Sequence, residues 1–331
     1  MLEYIYTIVW SIFITLFGLY LYIRVAQKRG WVAKDAHKEG VMVVDRAGIL
    51  LFALAVIAAP LIIFVTDAFK IYIALCLSVV LGSLIGLIDD FKDLGLKKAI
   101  MVMVAAVPII LLGTYLPHPY IPLVGRTRMT IVYILVIFAL FSIFADACNM
   151  IDIFNGVLIM QGLAVLVPIL VMSYLVGSEL GMMLSLIGIG YSIGFLYWNK
   201  YPAKIFHGNI GAYGYGSLIV AIIILSAIDV PGVEFVSIVA FLPTIYNGFI
   251  YVFRTGFAPK STVAREKRPV QLSGEYLTPN LDPDAAIDLT RIILLHGKAT
   301  EKQLIKIYAI LFLISSLLAI LTGLGIIYRL L

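Results

Sequence analysis

Ten stretches of the chain consist almost entirely of apolar side chains: residues 4–24, 48–66, 71–88, 98–116, 129–147, 157–176, 181–197, 212–228, 233–253 and 305–328. Each approaches the roughly 20 residues a helix needs to cross a hydrocarbon core. None alternates polar with apolar positions as the strands of a membrane barrel do. The pattern predicts an all-α polytopic membrane protein with ten transmembrane helices, forming a single membrane domain over 1–331. The first stretch has no basic flank before it and no small-residue cleavage site, so it reads as a retained helix and not a signal peptide.

The polar residues between the stretches are one-sided. Connections 25–47, 89–98, 148–156, 198–211 and 254–304 hold nearly every Asp, Asn and Lys of chemical interest, whereas the intervening connections are short. With 62% hydrophobic and 13% charged residues among 331, a soluble globular protein is excluded. The net charge of +5 is not the footprint of a nucleic-acid binder, because 20 of the 24 lysines and arginines sit on the polar side of the membrane pattern. Lys70, Arg126, Arg128 and Arg329 are the four opposite. The positive-inside rule makes the richer side cytoplasmic and puts both termini outside. Cys76 and Cys148 lie in or at the end of spans and match neither a disulfide framework nor a metal spacing. Segment 254–304 reads as an elaborated loop, with a short helix predicted from Asp282-Pro283 to His296-Gly297 by its cap and terminator residues. No internal repeat is evident, which weighs against a transporter or flippase built from inverted repeats.

Three clusters carry candidate chemistry. The third stretch ends in Asp89-Asp90-Phe91-Lys92-Asp93, where like charges crowd the negative end of a helix dipole and call for a cation such as Lys97, Lys98 or Mg²⁺. The fifth runs into Asn149-Met150-Ile151-Asp152-Ile153-Phe154-Asn155-Gly156, hard oxygen donors every three residues at membrane depth, where polar groups are costly and mark sites by default. Between the seventh and eighth lies Asn199 to Gly211. There Asn209 reads as an N-cap whose helix would attract phosphate, and Gly208, Ala212 and Gly216 read equally as a packing stripe. The basic group Arg265, Lys267 and Arg268 reads either as a topological or headgroup signal or as part of a site. His37, His118, His207 and His296 have no ligand spacing.

In order and spacing these motifs resemble the polyprenyl-phosphate N-acetylhexosamine-1-phosphate transferase family over nearly the whole chain. Asp35 and Lys38 resemble its Asp-x-x-Lys; Asp89-Asp90-x-x-Asp93 its aspartate-rich motif; Asn149 to Gly156 its Asn-x-x-Asp-Gly-x-(Asp/Asn)-Gly. Phe195-Leu196-Tyr197-x-Asn199-x-x-Pro202-Ala203-Lys204-x-Phe206-x-Gly208 is the most specific match. Phe241-Leu242-Pro243 with Asn247 and the long last loop look like the UDP-GlcNAc:dolichyl-phosphate branch. The chain departs from the family in having Asn209 for its aspartate, Arg265-Glu266-Lys267 for its Arg-His-Arg and Ile153 for a glycine.

The resemblance implies transfer of GlcNAc-1-phosphate from UDP-GlcNAc to a polyprenyl phosphate with release of UMP. It implies Mg²⁺, with Mn²⁺ as the alternative, at Asn149, Asp152 and Asn209. Catalytic roles fall on Asp89, Asp90, Asp93 and Lys98, and substrate contacts on Asp35, Lys38, Asp45, Asn155, Phe206, Gly208, Arg265 and Lys267. Its implied partners are the two substrates, membrane lipids and, in a homodimer, a second copy of the chain. Its implied location is a plasma membrane with a cytoplasmic site, the endoplasmic reticulum being the alternative. A second aspartate-rich motif, which a prenyl-transferring enzyme needs, is poorly matched by Asp146 with Asp152.

Overall fold

The computed structural model describes residues 2–38, 40–57, 68–92, 94–95, 97–255 and 268–330. Helix α1 (Leu2–Arg29) is followed by a hairpin of β1 (Val32–Lys34) and β2 (Met42–Val44), a short α2 (Leu50–Ile57) and α3 (Phe69–Phe91). A broken run, α4 (Lys97–Met101), a 3₁₀ turn at Val102–Ala106 and α5 (Val107–Leu111), leads to a small hairpin of β3 (Tyr120–Ile121) and β4 (Gly125–Arg126). Then come α6 (Thr130–Ile151), α7 (Val157–Val176), α8 (Glu179–Asn199), α9 (Gly208–Ser226) and α10 (Val233–Thr255). The last segment holds β5 (Val270–Ser273), β6 (Tyr276–Pro279), α11 (Leu289–Ile293), β7 (Ala299–Thr300) and α12 (Glu301–Ile327).

Among the described residues eight helices, α1, α3, α6 to α10 and α12, are long and apolar enough to cross a membrane. The chain is thus an all-α membrane protein, but these helices do not reach the expected count of ten. The expected stretch 48–66 lies partly outside the described residues, and its described part is a 3₁₀ turn followed by α2. The stretch 98–116 is helical only from Lys97 to Leu111 and is interrupted by the 3₁₀ turn, which precedes Pro108, a residue with no N–H to continue the ladder. The short helix expected from Asp282 starts later, at Leu289, capped by Asp288, whose carboxylate accepts the Arg291 N–H at 2.7 Å. Asp282-Pro283 instead forms a turn. The Arg291 guanidinium holds it by donating to the carbonyls of Asp282, Ala285 and Ala286.

The apolar pattern alone does not say which face of a membrane helix is inside. In α1 the buried positions include Thr7, Ser11, Thr15 and Leu19, four residues apart, while Trp10, Phe13 and Phe17 are exposed. Lipid is as apolar as any core, so close packing decides, and small side chains allow it. The hydroxyls of Thr7 and Thr15 donate to the carbonyls of Glu3 and Ser11 at 2.8 Å, so both threonines are satisfied within the helix. This stripe packs on Gly190 and Gly194 of α8. Helix α9 is the centre of the bundle: every residue from Ile210 to Ser226 is buried, against α3, α6 and α8 among others. Asn247 of α10 ties the last loop to the bundle by accepting the Leu289 N–H at 2.9 Å.

A close backbone approach falls where α3 meets the start of α9. A Cβ on Gly86 would lie 2.2 Å from the Asn209 carbonyl oxygen, so Gly86→Ala must push the two helices apart. It is expected to destabilise the protein by about 1–3 kcal/mol, the usual cost of overpacking, read as a lower unfolding temperature in detergent.

Candidate active site

The C-terminal ends of α1, α3, α6 and α8 and the N-terminal ends of α4, α9 and α12 all come to one end of the bundle. There they line a cavity of about 500 Å³. Its walls carry Asp35, Asp45, Asp89, Asp90, Lys98, Asn149, Asp152, Asn155, Phe206, Gly208 and Asn209, with Lys34, His37 and Asn199 beside them. Lys38 stands next to it, bonded to Asp35. Asp93, Arg265 and Lys267 lie outside the described residues.

The paired aspartates do different work. Asp90, one turn beyond Gly86, accepts the backbone N–H of Asn209 at 2.9 Å on one oxygen and that of Ile210 at 3.0 Å on the other. The N-terminus of α9 is therefore capped by a side chain from α3. Asn209 is not the N-cap that its sequence suggests: it lies in the first turn, and the cap position is His207, which makes no side-chain cap bond. Gly208 between them has φ +65°, and a Cβ there would sit 3.0 Å from Arg46 Cα; both conditions favour glycine. Asp89 turns the other way. One oxygen accepts the Leu94 N–H at 2.9 Å, and the other pairs with the Lys98 ammonium at 3.1 Å.

The end of α6 supplies the amides. Asn149 in its last turn donates to the Tyr213 hydroxyl at 3.5 Å, and Tyr213 donates to Asp146. Asp152, just past the helix, has an oxygen 3.6 Å from Nδ1 of His207, a fully buried ring stacked on Phe195 at 3.8 Å. Asn155 is held at both ends of its carboxamide: Oδ1 accepts the Ala203 N–H at 3.2 Å and Nδ2 donates to Glu301. Asn199 joins the same two loops by accepting the Gly156 N–H at 3.0 Å and donating to the Ile205 carbonyl at 2.7 Å. Phe206 is fixed by its backbone to β2, its N–H donating to Val44 at 2.7 Å.

Over this floor lies the β1–β2 hairpin, whose loop carries Asp35, His37 and Lys38. The Lys38 ammonium bridges Asp35 at 2.7 Å and Glu301 at 2.5 Å. Burial disfavours its charge, but the hydrogen bonds to the two carboxylates outweigh that, and its pKa is raised above the usual lysine value. Burial lowers the pKa of His37, against the pull of Glu301 and Asp35. Burial likewise raises that of Asp45, with Arg46 opposing. Asp35, His37 and Glu301 bring one ligand atom each within 4.8 Å of one another, a grouping that could hold a metal ion; Lys38 already bridges its two carboxylates and offsets one of their two charges. The other grouping, Asn149, Asp152 and Asn209, offers carboxamide and carboxylate oxygens on the cavity wall, a hard donor set that fits a hard divalent cation.

Sequence reasoning did not single out Glu301, His37 or Lys34. Glu301 follows Thr300 in a Thr-x-x-Gln capping box and reads as an ordinary helix start; nothing in its spacing points to residues 263 and 146 positions away.

A second cavity, of about 680 Å³, shares Ala36, His37 and Ile153 with the first and is lined further by Met150, Asn247, Tyr251, Arg268, Leu272 and Leu277, among others.

Residues 71–227 match the family described as glycosyl transferase family 4. A protein of Saccharolobus solfataricus, provisionally named UDP-N-acetylglucosamine–dolichyl-phosphate N-acetylglucosaminephosphotransferase, is 30% identical over 258 residues, 75% of this chain and 77% of its own. A protein of Sulfolobus acidocaldarius with the same provisional name is 29% identical, over 62% of this chain and 66% of its own. The phospho-N-acetylmuramoyl-pentapeptide-transferase of Dictyoglomus turgidum is 29% identical, over 46% of this chain and 52% of its own.

The division between the two aspartates is testable by stability alone. Asp90→Ala removes the cap of α9 and is expected to cost about 2 kcal/mol. Asp89→Asn alone would leave the Lys98 ammonium without its carboxylate. The comparison is therefore with the double variant Asp89→Asn/Lys98→Met, which keeps an acceptor for Leu94, removes both charges and is expected to unfold at close to the wild-type temperature. Equal losses in both variants would contradict the assignment.

Proposed function

The chain belongs to glycosyl transferase family 4, and from that membership and the donor set of the cavity we propose that it transfers GlcNAc-1-phosphate from UDP-GlcNAc to a polyprenyl phosphate of the dolichyl type, releasing UMP. It is a sugar-phosphate transferase. The observation that carries the substrate assignment is the convergence of acids, amides and lysines from separate helix ends on one cavity.

In the proposed reaction a lipid phosphate oxygen forms a bond to the β-phosphorus of UDP-GlcNAc as the bond from that phosphorus to the UMP oxygen breaks. Both reactants are anionic, so alignment and charge neutralisation are what the protein must supply. Asp89, buried and paired with Lys98, is the carboxylate that keeps the lipid phosphate deprotonated or in place, and Lys98 is a cation for the diphosphate oxygens. Asp90 positions the start of α9 and with it Asn209. Asn149, Asp152 and Asn209 would hold Mg²⁺ or Mn²⁺, which when bound offsets the charge of the diphosphate and of the departing phosphate. Phe206 and Asn155 flank the uracil position. The second cavity suits the lipid phosphate and the first isoprene units, with Arg268 for the anion and Met150, Leu272 and Leu277 for carbon.

Taking 48–66 and 98–116 as two further spans gives ten. The cavity then faces the side that holds 20 of the 24 lysines and arginines, which we take as the cytoplasmic face of a plasma membrane.

The test is turnover of UDP-GlcNAc with polyprenyl phosphate by the purified chain, followed as UMP. We expect Asp89→Asn to reduce it by at least about a hundredfold, and chelation to abolish it until Mg²⁺ is restored. Asn209→Asp is expected to lower the Mg²⁺ concentration for half-maximal rate by about tenfold, since affinity follows the number of charged ligands. UMP released without any lipid acceptor would replace single displacement by a covalent route, and no turnover with UDP-GlcNAc would remove the substrate assignment.

A further inference from the structure

Glu301 is buried, 6% exposed, at the first position of the last membrane helix, far in sequence from every motif above. Its two oxygens are divided. One accepts the Lys38 ammonium, from the loop after α1; the other accepts the Asn155 carboxamide, from the loop after α6. Asn155 passes the restraint on, its own oxygen holding the Ala203 N–H in the loop that leads to Phe206. Such a carboxylate is costly to bury unless each oxygen is matched, and here both are matched by side chains at the cavity edge. Its place at a helix N-terminus also favours the negative charge. Asp35 alone would still hold Lys38, at 2.7 Å, but nothing else in the described residues accepts from the Asn155 Nδ2.

We propose that Glu301 is a positioning residue for the nucleotide-sugar end of the cavity, fixing Lys38 and Asn155 together so that a lysine and an amide are presented in set places to the substrate. This rests on the reading of the cavity as a UDP-GlcNAc site. Glu301 takes no part in bond making. Its work is to remove the side-chain freedom that binding would otherwise have to freeze out, so its loss falls on the affinity for the nucleotide sugar and little on the rate at saturation.

Two measurements decide it. With the full chain in detergent, Glu301→Gln is expected to raise KM for UDP-GlcNAc by about tenfold, the scale of one charge-assisted hydrogen bond. It should leave kcat within about threefold and the KM for polyprenyl phosphate unchanged. Glu301→Asp, which keeps the charge, should recover part of the KM. Independently of turnover, labelling with an amine-specific acylating reagent, read by mass spectrometry, should show Lys38 modified several-fold faster in Glu301→Gln than in the wild type. An unchanged KM for UDP-GlcNAc, an equal change in both KM values, or unchanged Lys38 labelling each overturns the proposal. A lower yield of folded protein with wild-type KM in what remains means a purely structural role and overturns it too. If the wild type itself fails to turn over UDP-GlcNAc, the substrate assignment falls first and takes this inference with it, and the labelling result then stands as a statement about the Lys38 pair alone.

Discussion

A carboxylate at the end of one membrane helix that accepts the free amides at the start of another is the contact from which the site is built. Asp90 does this for α9, and it can reach because Gly86, one turn earlier, lets α3 come within backbone distance of Asn209. Helix starts leave unpaired N–H groups that need acceptors, and near a bilayer water is a less available one. The arrangement meets that need with a charge that would itself be expensive if unpaired. Once α3 and α9 are locked in this way, Asp89 faces Lys98, and Asn209 is set on the same cavity wall as Asn149 and Asp152.

The same logic of mutual satisfaction extends across the cavity. Lys98 is matched by Asp89, Lys38 by Asp35 and Glu301, and the Asn155 carboxamide by Glu301 and Ala203. Cations that would meet a diphosphate are thus already ordered by carboxylates. An ordered cation loses little entropy on meeting its ligand. The lipid-facing surface needs none of this care: α1 turns Trp10, Phe13 and Phe17 outward and packs with hydroxyl-bearing residues, because in hydrocarbon close fit, and not apolarity, selects the inner face.

Much of this was legible in the chain itself. Apolar run length gave most of the helices, since eight of the ten stretches correspond to helices long enough to span. Motif order brought Asp35, Asp89, Asn149, Asn155 and Asn209 to one place. What stayed hidden was direction and partnership. Residues 89 and 90 are adjacent and chemically identical, yet successive helix positions point about 100° apart, so one met Lys98 and the other met α9. The 3₁₀ turn at 102–106, the late start of α11, the three-stranded sheet of β5, β6 and β7 and the role of Glu301 depend on contacts between distant segments, to which local periodicity is blind.

Asn209 shows how such partnerships bear on chemistry. An aspartate in its place would set a second carboxylate in the turn whose amides Asp90 already covers, and two like charges at one helix start repel unless a cation lies between them. With asparagine the start of α9 is stable with the Asp90 charge alone, and a side-chain oxygen is still offered to the cavity. Were a divalent cation held here, as we propose, asparagine would bind it more weakly than aspartate while leaving the start of α9 satisfied by Asp90 alone. The hard donor set is kept, and the obligation to pair it is reduced.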